Sequence, residues 1–181
     1  MANNLHSAHP TLVGNKMKLL QNITLALLVS LSAQAVEVGD KAEAFTLEYL
    51  KESSSFDSKS LGNGVYLLNI WAQWCKGCKE EMPLFNEVAK KYADKGFKII
   101  AVNIDTKQKK AKKFVKKLES KLGETSSIIF LYDKKKELAK AYDAKVIPIS
   151  LLIKDQKIQH IYLGSCKQSS ELTVEIDRLL K

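Results

Sequence analysis

The chain has 181 residues, 45% hydrophobic and 27% charged, with 8 Gly and 3 Pro. That is the composition of one globular domain, and it excludes disordered, collagen-like and repeat architectures. Three Cys are too few for a disulfide-stapled scaffold, so a Cys pair here points to chemistry rather than structure, and the net charge of +9 is informative mainly through where it sits.

Residues 1–35 contain Lys16 and Lys18 and no acid. Met17-Lys18 opens a stretch that is densest in apolar residues at Leu25–Leu31 and closes on Ala33-Gln34-Ala35. This order is that of a signal peptide cleaved before Val36, with Met17 as the true start and residues 1–16 (His6 and His9 among them) as an upstream extension without function. Gln21, Asn22, Thr24, Ser30, Ser32 and Gln34 break the run of about 18 apolar residues that a retained anchor needs. No Cys follows the stretch, which argues against a lipid-modified terminus. The expected location is a bacterial periplasm, with a membrane tether if the leader is kept. Residues 36–181 form the expected folded domain.

Within it, Val36–Leu61 carries weak strand signals (Phe45-Thr46-Leu47, Tyr49-Leu50) broken by the polar run Lys51–Ser60, and reads as a hairpin and loop added to a sheet. Val65–Trp71 and Phe97–Ile104 are buried-strand patterns flanked by Gly62, Gly64 and Gly96. Between them Phe85, Val88, Ala89 and Tyr92 recur at helical spacing, predicting a helix over Glu80–Lys95, a βαβ unit and a parallel sheet.

The window 107–121 holds eight Lys and one acid, Glu119, and so accounts for the whole net charge of +7 carried by 36–181. Ala111, Phe114, Val115, Leu118 and Leu122 recur through it at helical spacing, which describes an amphipathic helix with one lysine face. The face is either simply solvated or an electrostatic contact for anionic lipid or an acidic partner. Nucleic acid is disfavoured by export and by the absence of interleaved aromatic or Arg platforms.

Further on, Ile128–Tyr132 is a strand and Leu138, Ala139 and Tyr142 mark a short helix. Ile149–Ile153 and Ile158–Leu163 are strands joined by Lys154-Asp155-Gln156-Lys157 as a hairpin, and Ser170–Leu180 is a final helix. The predicted fold class is α/β, a three-layer arrangement with one mixed sheet, helices on both faces and an N-terminal β extension.

Chemistry concentrates at Trp71-Ala72-Gln73-Trp74-Cys75-Lys76-Gly77-Cys78-Lys79-Glu80-Glu81-Met82-Pro83, where a buried strand ends and a helix begins. A helix N-terminus favours a thiolate at Cys75, Lys76 and Lys79 add cations, and the two-residue spacing lets Cys78 attack a mixed disulfide on Cys75. Haem attachment requires His at position 79, which is Lys. A zinc site would have to use Cys75, Cys78, Cys166 and His160. A static disulfide closing so short a loop would constrain the unfolded chain little.

Trp71-Ala72-x-Trp74-Cys75-x-x-Cys78-Lys79 followed by Glu81-Met82-Pro83 resembles the active site of thioredoxin-fold proteins, and more closely their exported TlpA/ResA-like branch. The resemblance extends to Val38–Leu47, although Glu43 stands where the branch usually has Pro. It continues through Val102-Asn103-Ile104-Asp105, Leu131-Tyr132-Asp133, Ala141-Tyr142, Val146-Ile147-Pro148 and Leu152-Ile153. It implies an exposed attacking thiol at Cys75 and a more buried resolving thiol at Cys78. Pro148 would be a cis-proline facing them, and a substrate face would be formed by Trp74, Ile147, Pro148 and Gly164. Glu81 matches the acid that this branch keeps near its cysteines and would handle the proton of Cys78, since Asn69 stands where cytosolic thioredoxins bury an Asp. An ordinary exposed first-turn Glu is the alternative. Cys166 departs from the pattern, as a packed small side chain or as a third redox thiol.

The resemblance implies an exported thiol–disulfide oxidoreductase acting on protein thiols and disulfides, as a reductant fed by a membrane thiol electron donor, with cytochrome c maturation as one role that the branch serves. A disulfide donor or isomerase, or a non-catalytic thioredoxin-fold binding module, are the other readings. A Thr-x-x-Cys peroxidase site is not found. No bound cofactor or metal is expected, because the Cys pair is itself the redox centre.

Overall fold

In the computed structural model, residues 35–122 and 128–181 are described, so that residues 1–34 of the expected leader lie outside them. The described strands are β1 (Thr46–Tyr49), β2 (Ser55–Asp57), β3 (Tyr66–Trp71), β4 (Lys98–Asn103), β5 (Ile128–Tyr132), β6 (Ile149–Lys154) and β7 (Lys157–Leu163). They form one sheet in the order β2-β1-β5-β4-β3-β6-β7. β3, β4 and β5 run parallel, and β1 against β5, β3 against β6 and β6 against β7 are antiparallel. The sheet is therefore mixed, with the weakly signalled N-terminal hairpin added beside β5. At the other edge, residues 39–42 lie along the β6–β7 hairpin through Gly39 N–H to the Ile158 carbonyl and Ala42 N–H to the Gln156 carbonyl.

Four described helices accompany the sheet: α1 (Lys76–Tyr92), α2 (Gln108–Leu122), α3 (Glu137–Ala141) and α4 (Ser169–Leu179). Every residue of β3 is buried, as a strand covered on both faces must be. Its side chains alternate between the two faces. Asn69 reaches Glu81 of α1, and Trp71 packs on Phe114 of α2 with ring centroids 5.6 Å apart. Right-handed crossovers from β3 to β4 to β5 place α1 and α2 together on that side, and α4 packs against α1. Tyr66 points to the other side, beside Tyr142, which immediately follows α3 and whose hydroxyl accepts from Glu43 N–H at 2.9 Å. Helices thus flank the sheet in a thioredoxin-like topology.

Two elements differ from the sequence expectation. α1 starts at Lys76, not Glu80, because Cys78 and Met82 already belong to its buried stripe and Cys75 caps it. The β6–β7 connection is two residues rather than four: Asp155 and Gln156 take φ of 53° and 59°, the left-handed pair of a type I′ hairpin turn. Asp-Gln is an unusual pair there, since Gly is the residue that adopts such angles without cost. Among the described residues no helix is long and apolar enough to cross a membrane.

Candidate active site

β3 delivers the chain to the sheet's carboxyl end, and α1 begins five residues after Trp71. Cys75 occupies the N-cap of α1, where Cys78 N–H donates to its Sγ at 3.1 Å. Anchored this way, the sulfur sits at the positive end of the helix dipole, where an anionic thiolate is stabilised. Cys75 and Cys78 form a disulfide. Cys78 is fully buried, and Cys75 is only 8% exposed, so the thiol expected to be exposed is largely covered in this form. The cover is the loop before β6: Cys75 Sγ lies 3.7 Å from the Ile147 carbonyl oxygen. The Ile147–Pro148 peptide is cis.

That loop is tied to the end of β7, because Gly164 N–H donates to the Pro148 carbonyl at 2.9 Å. Gly164 has φ of 84°, a conformation that L side chains rarely adopt. Gly77, between the two cysteines, is tight for another reason: a Cβ there would collide with Oγ of Ser165. Around this contact Trp74, Val146 and Leu163 are 67%, 64% and 75% exposed. Each neighbours a residue of the disulfide face, so the opening is rimmed by apolar side chains. Trp74, Ile147, Pro148 and Gly164 were expected at this face. Val146 and Leu163 were not named for it.

Behind the disulfide lies Glu81, which is buried rather than an exposed first-turn acid. Its Oε1 accepts from Asn69 Nδ2 at 3.0 Å and its Oε2 from Cys166 N–H at 3.0 Å. Asn69 Nδ2 also donates to Ser150 Oγ across the β3–β6 pairing, while Asn69 Oδ1 has no partner among the described residues. Burial pushes the Glu81 carboxyl up to about 7 against the two hydrogen bonds that lower it. Such a group can hold or release a proton near neutrality. It lines a cleft of 640 Å³ between α1 and residues 165–170.

Cys166 is buried, with Sγ 3.4 Å from the Gln168 carbonyl oxygen. Burial, then Glu171 and Glu81, push its thiol above the ordinary value, which leaves little thiolate for attack at neutral pH. The zinc set is not assembled: Cys75 and Cys78 are bonded to each other, and His160 stacks on Tyr162 at 4.3 Å.

Asp105 is a positioning residue to which the sequence assigned no role. Its Oδ2 accepts from Gln73 N–H and from Asn103 Nδ2, both at 2.9 Å, and so fixes the loop between β3 and Cys75. Asp105→Ala is expected to destabilise the protein by about 2–3 kcal/mol, because it strands the buried Asn103 amide and the half-buried Gln73 N–H. Urea unfolding of the oxidised chain measures it, and a change below about 0.5 kcal/mol, within the ordinary surface range, would mean that water replaces the carboxylate.

The family model described as Redoxin matches residues 37–176. The chain is 37% identical over 127 residues to the thiol-disulfide oxidoreductase ResA of Bacillus thuringiensis subsp. konkukian, covering 69% of each chain. It is 32% identical over 145 residues to the thioredoxin-like protein YneN of Bacillus subtilis, covering 78% of this chain and 81% of that one. Among solved structures, a DsbE-like thiol:disulfide interchange protein of Chlorobium tepidum superposes with a TM-score of 0.71 at 28% identity, over 81% of this chain and 100% of that one.

Proposed function

The chain belongs to the Redoxin family as a ResA-like thiol–disulfide oxidoreductase, and on that premise we propose that it works outside the cytoplasm as a reductant of protein disulfides. In the proposed cycle the Cys75 thiolate attacks a substrate disulfide, forms a mixed disulfide and releases one substrate thiolate. The Cys78 thiolate then attacks Cys75 Sγ, releases the second substrate thiol and leaves the Cys75–Cys78 disulfide. Two electrons have passed to the substrate, and two from a membrane thiol donor restore the dithiol. Glu81 takes the proton that Cys78 loses.

The observation that carries this reading is the Cys75–Cys78 disulfide at the α1 N-terminus, with Cys78 fully buried behind a slightly exposed Cys75 that lies against the Ile147–Pro148 loop. Trp74, Ile147, Pro148 and Gly164 serve as the substrate face, and Cys166 is either packing or a third redox thiol. Disulfides of apocytochrome c, which must be reduced to thiols before haem is attached, are the proposed substrate class. Residues 17–35 act as the export signal, with Met17 as the start and residues 1–16 as an upstream extension, and 36–181 is the working domain. The lysine helix is the proposed contact for an acidic partner or an anionic surface.

A disulfide-donor reading draws on one feature, the thiolate-stabilising helix N-terminus with Lys76 and Lys79 nearby, because a stabilised thiolate makes the disulfide more oxidising. The equilibrium reduction potential of the purified chain, followed by Trp fluorescence across dithiothreitol and glutathione ratios, separates the two. The expected value is near or below about −250 mV, and one near about −120 mV would make the protein a disulfide donor.

A further inference from the structure

α2 does not present its lysines uniformly. Lys110, Lys113, Lys117 and Lys121 recur at helical spacing along one edge of the helix, and with Lys79 of α1 they line a groove of 590 Å³ between the two helices. The floor is apolar, made by Pro83, Phe114 and Leu118. Phe114 is half-buried, with one side against Trp71. Among the described residues none of these five lysines has an acid within 4.0 Å, whereas Lys51 on the far side pairs with Glu119. One end of the groove is Gln73, two residues before Cys75.

We propose that this groove binds an acidic segment of the protein whose disulfide is exchanged, with one or two of its apolar side chains on the Pro83–Phe114–Leu118 floor and its carboxylates on the lysine rim. The reading rests on the oxidoreductase function for the identity of the partner. Two features select a polypeptide over a membrane surface. The lysine edge of α2 faces Lys79 of α1 across a concave apolar floor, which a flat bilayer would bridge without filling. The groove also takes in Gln73 and Lys79, two residues before Cys75 and one after Cys78, so a chain seated in it lies near the Cys75–Cys78 segment. Cations of this density raise association rates as well as affinity, and salt weakens the contact.

The test is fluorescence anisotropy of the full chain with a labelled twelve-residue peptide alternating Asp or Glu with Leu or Phe, and with its Asn/Gln counterpart. The triple reversal Lys110→Glu, Lys113→Glu, Lys117→Glu is compared with Lys109→Glu, Lys112→Glu, Lys116→Glu, which changes net charge equally away from the groove. The groove reversal is expected to weaken the acidic peptide about tenfold or more, and the control about twofold or less. Both reversals should leave intact the reduction of a small aryl disulfide, which reads the Cys pair alone. Equal losses in the two variants would reduce the effect to net charge and overturn the proposal. So would no peptide binding by the parent chain, or phosphatidylglycerol vesicles binding where the peptide does not. Loss of aryl disulfide reduction in the parent would instead overturn the oxidoreductase cycle and leave the peptide result standing.

Discussion

Cys75→Ser is expected to abolish disulfide exchange, lowering the rate with a cystine peptide by at least about 1,000-fold, or about 4 kcal/mol of barrier. A serine hydroxyl keeps the place of the sulfur at the α1 N-cap and still accepts from Cys78 N–H, but it supplies no anionic nucleophile at neutral pH. Cys78→Ser should behave differently. Attack by Cys75 survives, and the mixed disulfide then persists because the second sulfur, buried directly behind Cys75, is gone. Intact-mass spectrometry after mixing with the cystine peptide reads both outcomes, as no adduct in the first variant and one stable adduct in the second. Cys166 should add no mass on that timescale, since burial together with Glu171 and Glu81 keeps its thiol protonated. An adduct at Cys166 forming as fast as that at Cys75 would make it a third redox thiol, and a stable adduct absent from Cys78→Ser would remove Cys78 from the resolving role.

Glu81 supplies the second large effect, and its sign follows from linkage. Below about 4.5 the carboxyl is protonated in both folded and unfolded chains. Between about 4.5 and about 7 the unfolded chain has lost the proton and the folded chain has kept it. Over that window stability therefore falls as pH rises, by on the order of 3 kcal/mol in total, and above it the loss is complete. Glu81→Gln has no such titration. Gln has one oxygen to accept from the two donors, Asn69 Nδ2 and Cys166 N–H, and turns an NH2 towards the other, whereas even the protonated carboxyl keeps an oxygen on each, so the variant is less stable than the parent at low pH. The gap should narrow or reverse as pH rises through the window. Urea unfolding of both oxidised proteins at pH 4.5 and pH 8 measures it, and parallel pH dependence would mean that Glu81 titrates as an ordinary surface acid. The same substitution is expected to remove an inflection near pH 7 from the rate at which Cys78 resolves the mixed disulfide.

What could be read from the sequence was local. The apolar run of β3 and the two-residue cysteine spacing each lie within one short stretch, and the period of α2 fixed its lysine face without any partner. The remainder depended on pairs far apart in the chain. Glu81 could be named from a resemblance, but whether it was buried depended on Cys166, 85 residues away, and on Asn69, 12 residues back on β3. Asp105 stood in a noticed motif, yet its part became visible only when the β3–β4 pairing brought it to Gln73. Val146 and Leu163 received no place at the site, because periodicity does not reveal where a strand or loop runs out past the layer that covers it. The left-handed pair Asp155-Gln156 carries none of the Gly or Asn that advertises a hairpin turn.

The contact between Glu81 and the Cys166 backbone also sets an order of events. A polypeptide is made from its N-terminus at about 5–20 residues per second, so Cys75 and Cys78 exist well before residues 147–150 and 164–166 do. β6 must lie beside β3 for Ser150 to meet Asn69, and the end of β7 must fold back before Glu81 acquires its second donor. Until the last strand is in place, the cysteine pair has its helix N-terminus but neither the Ile147–Pro148 cover nor a fully bonded Glu81. Shielding and proton handling are thus acquired late, and truncation anywhere before residue 166 forfeits the Glu81 contact.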